Sequence, residues 1–434
     1  MASVNKGTVL KTNEGGKASK ISKKEELSKL TMTCMLWENT FYVDGVSIAT
    51  RIHDLAQEVG EAIAREIMLK AKLQQKLRHA PLWIAVAMAE KGWLKKQDIE
   101  TICTRADDMT ELLALYWKDG KRPVPKQMLK GLGLAFKNFN EYTLAKYDRD
   151  GVVKLRDVLR IARPKPDDTT MSELWKKVID RTLDTPDTWE VSLSAGKDKK
   201  ETFERLIAEK KMGDLAFIRN LRKMTEAGVT TSIIKESFTT RKWSWILPFQ
   251  FVTAARYNPQ FEPELEDVML KCLSGMEKIT GDVVLLVDTS GSMSGAISGK
   301  SEATRLDVGA GLAILLREVC NNISVYKFTY NSTIVPARRG FALRDAIGTA
   351  DGDTHMWKAI RETPECNIKI VITDEETSDS GSYADAKADL LVIINVASTS
   401  NGVGYGNKVL HINGWSENVV SFLQEYLKSI STSV

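Results

Sequence analysis

The sequence predicts two domains of different class: an all-α helical-repeat domain followed by a doubly wound α/β domain. Three observations predict this. From about residue 25 to 277 apolar side chains recur every three or four positions, and strand-like alternation is nearly absent. At Gly281 the grammar changes to DVVLLVD, a continuous β-branched run of strand length, after which strands alternate with helices. Charge divides at the same place. Residues 281–434 hold 13 Lys and Arg against 18 Asp and Glu, a net of −5, whereas the preceding chain holds 48 against 39, a net of +9. A basic domain ahead of an acidic one points to an anionic partner for the first.

In order, residues 1–24 are polar and rich in Gly, Ser and Lys, and are read as a flexible arm. Ile52, Leu55, Val59, Ile63 and Ile67 make one apolar stripe. Pro81 opens LWIAVAMA, which has no polar face and is expected to be buried. Ile99, Ile102, Ala106, Met109, Leu112, Leu113 and Tyr116 continue the period with a break near Asp107. Thr170 with Glu173 reads as a capping box starting SELWKKVIDRTL. Leu265, Val268, Met269, Cys272 and Met276 close the region. About a dozen short helices with short joints are expected, stacked as degenerate helical hairpins. Beyond DVVLLVD come a helix over about 303–319, strand material in ISVYKFTY, a short helix near 341–347, a loop and another helix. The strands IKIVITD and LLVIINV and a last amphipathic helix, ENVVSFLQEYL, follow. Ligands of such a sheet sit at the carboxyl ends of its strands.

Several function classes fall away. Five cysteines (34, 103, 272, 320 and 366) are scattered without C-x-x-C, so neither a disulfide framework nor a zinc ribbon is expected, and a reducing cytoplasm fits. The opening MASVNKGTVLKTNEGG has no apolar core, so no signal peptide is expected, and no run approaches the length of a membrane span. GAISGKS looks like a phosphate loop, but three residues separate Gly295 from Gly299 where the motif requires four.

Two constellations carry chemistry. The first strand ends in Asp288-Thr-Ser290-Gly-Ser292; Thr354 lies in the loop DGDT and Asp374 ends IKIVITD. Asp288, Ser290, Ser292, Thr354 and Asp374 offer hard oxygen donors where strand ends converge, which suits a divalent metal, magnesium first. No activated nucleophile or base accompanies them, so no enzyme is expected. The second is a basic segment. Residues 121–165 hold 12 Lys and Arg against four acids, nearly the whole +9. Lys126, Lys130, Lys137, Lys146, Arg149, Lys154, Arg156, Arg160 and Arg163 belong to it, interleaved with Phe136, Phe139, Tyr142 and Tyr147. In VVKLRDVLRIAR, Leu155, Val158, Leu159 and Ala162 read as the inward stripe, leaving Lys154, Arg156, Arg160 and Arg163 outside it. Such a face can neutralise a phosphate backbone, and the aromatics are either core or stacking platforms for bases.

The segments DTSGSM and VITDEET resemble a von Willebrand factor A domain with a metal-ion-dependent adhesion site, over 281–434. Ahead of it, LTMTCMLWENTFYVDG (30–45), AKYDRDGVVKLRDVLRIARPKP (145–166), FIRNLRKMTEAGV (217–229) and LPFQFVTAARY (247–257) resemble, in order, segments of the TROVE-domain family of Ro ribonucleoproteins, and the chain looks like a bacterial or phage relative. The resemblance implies a HEAT-like helical-repeat ring at 25–277, monomeric, followed by the A-domain. It implies structured small non-coding RNA (Y RNA-like) on a basic outer face and single-stranded 3′ ends of misfolded RNA in a central hole. The implied role is RNA quality control or tethering of an exoribonuclease. It also places Arg219 and Asn220 in the family's Leu-Arg-Asn-Leu segment as RNA contacts. The chain departs from the family where Leu155, Leu247 and Gln250 stand for histidines. The alternative is a protein-interaction scaffold whose A-domain metal binds an acidic partner residue.

Overall fold

The computed structural model describes residues 22–31, 45–243, 246, 248–297, 302–397, 409–414, 419–420, 423–424 and 426–427. Most of the polar arm, most of the 30–45 segment, Leu247, residues 298–301 and much of the last expected helix lie outside them. The chain forms two compact units, which divide at Gly213 rather than at the change of grammar near Gly281.

The first unit is helical: α1 (Lys23–Thr31), α2 (Gly45–Glu58), α3 (Glu61–Leu73), α4 (His79–Glu90), α5 (Lys96–Ile102), α6 (Ala106–Tyr116), α7 (Lys126–Phe136), α8 (Glu141–Tyr147), α9 (Leu155–Ala162), α10 (Thr169–Asp180), α11 (Trp189–Ser194) and α12 (Lys199–Ala208). Helices pack on near neighbours in sequence: α3 on α4 and α5, α4 on α6, α5 on α7, α7 on α9, and α9 on α10. That is the local pattern of stacked helical hairpins. With α13 (Asp214–Glu226), α14 (Thr231–Thr240), α15 (Pro248–Tyr257) and α16 (Glu262–Leu273), sixteen helices precede the sheet among the described residues, more than the dozen expected.

Two local expectations are corrected. The stripe from Ile52 to Ile67 belongs to two helices, because Gly60 adopts φ +89° and ends the first; Val59 and Ile63 are only half-buried, and Ala64, Ile67, Met68 and Ala71 form the buried face of α3. The helix expected to start at Thr170 is capped two residues earlier, where the Asp168 carboxylate accepts from the Met171 N–H at 2.7 Å. The LWIAVAMA run is buried on every side, as its lack of a polar face predicts.

The second unit holds α13–α16 and the α/β domain. Its strands are β1 (Ile279–Asp288), β2 (Cys320–Phe328), β3 (Ser332–Ile334), β4 (Cys366–Thr373), β5 (Ala388–Asn395) and β6 (Val409–Asn413), in the order β3-β2-β1-β4-β5-β6. All pairings are parallel except the short antiparallel edge strand β3. The edge strands β3 and β6 were not foreseen. The helices are α17 (Arg305–Val319), α18 (Gly340–Ile347) and α19 (Met356–Glu362). Val284, Leu286, Val371, Leu391 and Ile393 face Met356, Trp357 and Ile360 of α19 in one core. On the opposite face α17 comes close enough that Gly309 lies against Val287 and Ile372. Lys369, fully buried within β4, donates to the Ile360 and Thr363 carbonyls at 3.1 and 3.4 Å, satisfying the C-terminal end of α19.

Candidate functional site

Strand order reverses direction between β1 and β4, so the crevice at their carboxyl ends is the topological switch point of the sheet. Register pairs Val287 with Ile372, which places Asp288 beside Thr373 and Asp374 just beyond. Both aspartates are fully buried. The Ser290 N–H donates to Asp288 Oδ1 at 2.8 Å, and the Thr373 hydroxyl donates to Asp288 Oδ2 at 2.6 Å. A 3-10 turn over Gly291–Ser294 then brings the Ser290 and Ser292 hydroxyls within 3.2 Å of each other.

Thr354 reaches this loop from elsewhere in the chain. The Asp351 N–H donates to the Thr289 carbonyl at 2.8 Å, and the Gly291 N–H donates to the Gly352 carbonyl at 2.8 Å, where Gly352 takes φ +80°. Thr354 itself is 3% exposed and accepts at its carbonyl from the Ser378 N–H and the Thr377 hydroxyl, both at 3.1 Å. The structure thus brings all five expected donors to one edge of the sheet. Burial first, and then the Asp374 charge, push the Asp288 carboxyl up to about 7, against the Thr373 and Ser290 bonds that pull it down. Two buried carboxylates with serine and threonine hydroxyls form a hard-oxygen set that could hold magnesium or manganese.

Sequence reasoning missed two neighbours. Arg305, the first residue of α17, donates from Nη1 to Asp374 Oδ2 at 3.0 Å. His411 of β6 hydrogen-bonds Glu375, the buried residue after Asp374, which adopts φ +60°. Neither had a local signal, since both contacts cross more than thirty residues of sequence. The phosphate-loop likeness leads nowhere structurally: α17 starts only at Arg305, capped by Thr304 and Asp307.

In the basic segment Lys126, Lys130, Arg149, Arg160 and Arg163 are exposed. Arg156, Arg160 and Arg163 follow one another at helical spacing on the side of α9 away from buried Leu155, Val158 and Leu159. Ala162 is only half-buried, so the inward stripe is narrower than expected. The remaining bases are partly engaged. Lys137 pairs with Asp167, Lys154 donates to Asp150 at 2.7 Å, Lys146 lies over the Tyr147 ring at 5.7 Å, and Arg156 is half-buried. Phe136 is fully buried edge-to-face with Trp175, and Phe139 is 9% exposed, so both are core; Tyr142 is 49% exposed. In the second unit Arg219 of α13 is exposed, whereas Asn220 is 4% exposed and its amide donates to the Ala216 carbonyl at 2.8 Å. Asn220 is therefore an internal residue of the helix packing, a correction to its expected place as a surface contact.

Among the described residues Cys103, Cys272, Cys320 and Cys366 are free thiols, and no helix is long and apolar enough to cross a membrane. Residues 180–271 match the TROVE domain family. The fold is similar to that in the crystal structure of the Deinococcus radiodurans RO (RSR) protein, with a TM-score of 0.67 and 15% sequence identity, over 93% of this chain and 99% of that one. No curated protein matches the sequence.

Proposed function

The chain carries a TROVE-domain segment and is Ro-like in fold, and from that premise we propose that it is a non-catalytic RNA-binding protein of Ro type. The basic surface of α7–α9 holds structured small RNA of the Y RNA kind, and the protein handles single-stranded ends for quality control in concert with an exoribonuclease. The observation that carries the reading is the set Lys126, Lys130, Arg149, Arg160 and Arg163: exposed, within one segment, and without an acidic partner among the described residues. Cations that no internal acid neutralises can replace the counterions of a phosphate backbone. The free thiols fit a reducing cytoplasm.

The test is the triple variant Lys126→Glu, Lys130→Glu, Arg160→Glu, titrated against a transcribed hairpin RNA with a single-stranded 3′ tail. Binding at moderate salt is expected to be lost while the melting curve stays that of the wild type. Unchanged binding removes α7–α9 as the RNA surface.

A second, compatible reading concerns the A-domain. A magnesium ion held by Asp288, Ser290, Ser292, Thr354 and Asp374 would supply a Lewis-acid contact for an acidic residue of a protein partner. The buried, hydrogen-bonded carboxylates at the switch point favour it. Ser290→Ala is expected to abolish protein partners recovered with the tagged chain and leave RNA affinity intact; retention of those partners sinks this reading.

A further inference from the structure

Asp288 and Asp374 are both fully buried at the edge where the five hydroxyl and carboxylate donors meet. Burying one unpaired carboxylate is costly, and burying two side by side more so. A cation already sits there. Arg305 is 6% exposed, and its Nη1 donates to Asp374 Oδ2 at 3.0 Å and to the Ser292 carbonyl at 3.4 Å. One guanidinium therefore bridges the end of β4 to the loop after β1.

Two features show that the chain is arranged to keep it there. Arg305 is the first residue of α17, where the helix dipole disfavours positive charge, so the local helix does not explain the cation but the carboxylate does. The turn before the helix is also shaped around it. The Arg305 N–H donates to the Gly295 carbonyl at 2.9 Å, and a Cβ on Gly295 would stand 3.4 Å from both Cζ and Nε of Arg305. A side chain larger than hydrogen would crowd the guanidinium at that point.

We propose that Arg305 is a built-in counter-cation of the A-domain site: it compensates Asp374 when no divalent ion is bound and holds down the site's affinity for one. The donor set carries a net charge of −1 with Arg305 in place, against −2 without it. Repulsion between a guanidinium and a divalent ion sharing one carboxylate is worth on the order of tenfold in affinity even at the dielectric constant of water. Occupancy then becomes conditional, because a further negative group, such as the acidic residue of a partner, restores the attraction Arg305 removes. This inference rests on the metal reading of the site.

The experiment is a calorimetric titration of the full chain with Mn²⁺, comparing wild type with Arg305→Met, Arg305→Gln, Arg305→Lys and Asp374→Asn. Arg305→Met is expected to bind Mn²⁺ at least tenfold more tightly, to melt lower than wild type without metal, and to recover on adding Mn²⁺. Arg305→Gln keeps a donor toward Asp374 and removes the charge, so it should show the tighter binding even where Arg305→Met folds poorly. Arg305→Lys should stay near wild type and Asp374→Asn should bind least. Equal or weaker Mn²⁺ binding by both neutral variants overturns the role of Arg305 while leaving the metal site standing. No Mn²⁺ binding by any variant at millimolar concentration overturns the metal reading itself, and this inference with it.

Discussion

The Thr373 hydroxyl donates to Asp288 Oδ2 at 2.6 Å, joining the ends of two adjacent parallel strands at a site with no exposed atom of either side chain. The same Thr373 oxygen accepts the Glu375 N–H at 3.0 Å, so one hydroxyl fixes both the carboxylate and the turn that leaves β4. Thr373→Val keeps the shape and deletes both bonds. The expected cost is about 1–3 kcal/mol, the penalty for leaving buried polar groups unsatisfied, whereas Thr373→Ser should cost much less. Urea unfolding of the α/β domain measures it, and equal stability of the two variants would show that methyl packing rather than the hydroxyl matters.

The Asp288 carboxyl, raised from 3.8 to about 7 by burial and the Asp374 charge, sets a pH dependence. A carboxyl whose pKa is higher in the folded state binds its proton more tightly when folded. Its contribution to stability is therefore greatest below pH 4 and declines as pH rises through the window from about 4 to about 7. A divalent ion binds the ionised form, so it competes with that proton. Thermal melts with and without Mn²⁺ should show a larger Mn²⁺-induced rise at pH 8 than at pH 5. A rise that is equal at the two pH values would remove Asp288 from the ligand set.

Much of the metal edge was legible because two apolar strand runs each end in aspartate, and a parallel sheet puts such ends together whatever lies between them. Arg305 and His411 were not legible, since each acquires its role from one long-range contact that no periodicity encodes. Long apolar stripes announced their helices. The six-residue α11 is too short to show a full stripe, which is one reason the helix number was read low. Asn220 could have been placed from the sequence: Phe217, Leu221 and Met224 surround it at helical spacing, and all four are buried. Reading it as an RNA contact let family position override the face of the helix.

Gly309 and Gly311 lie two residues apart in α17 and should respond to alanine with opposite signs. A Cβ at Gly311 would stand 2.8 Å from the Phe249 backbone nitrogen in α15, and backbone cannot rotate away. Gly311→Ala should therefore cost roughly 1–3 kcal/mol by overpacking. At Gly309 the nearest atoms would be 3.6 Å away, an ordinary contact, and alanine gains up to about 1 kcal/mol in helix propensity. Melting temperatures of the two variants test this directly; a loss at Gly309 matching that at Gly311 would mean that α17 tolerates no added volume on either side.

In the first unit Lys72 of α3 and Asp108 of α6 form a buried ion pair at 2.8 Å, with side chains 5% and 0% exposed. Asp108 Oδ2 also accepts the Arg105 N–H at 3.0 Å, which caps α6. The pair is costly to assemble out of water, so its net value is small, but removing one member strands the other charge. Lys72→Met leaves the carboxylate buried without its cation and is expected to cost about 3–5 kcal/mol. Lys72→Met with Asp108→Asn removes both charges and keeps an oxygen for the cap, so it should recover most of that loss. A double-mutant cycle by denaturant unfolding decides the matter. If the double variant is as unstable as Lys72→Met alone, the damage comes from lost packing of the lysine stem, and the stranded charge is not its cause.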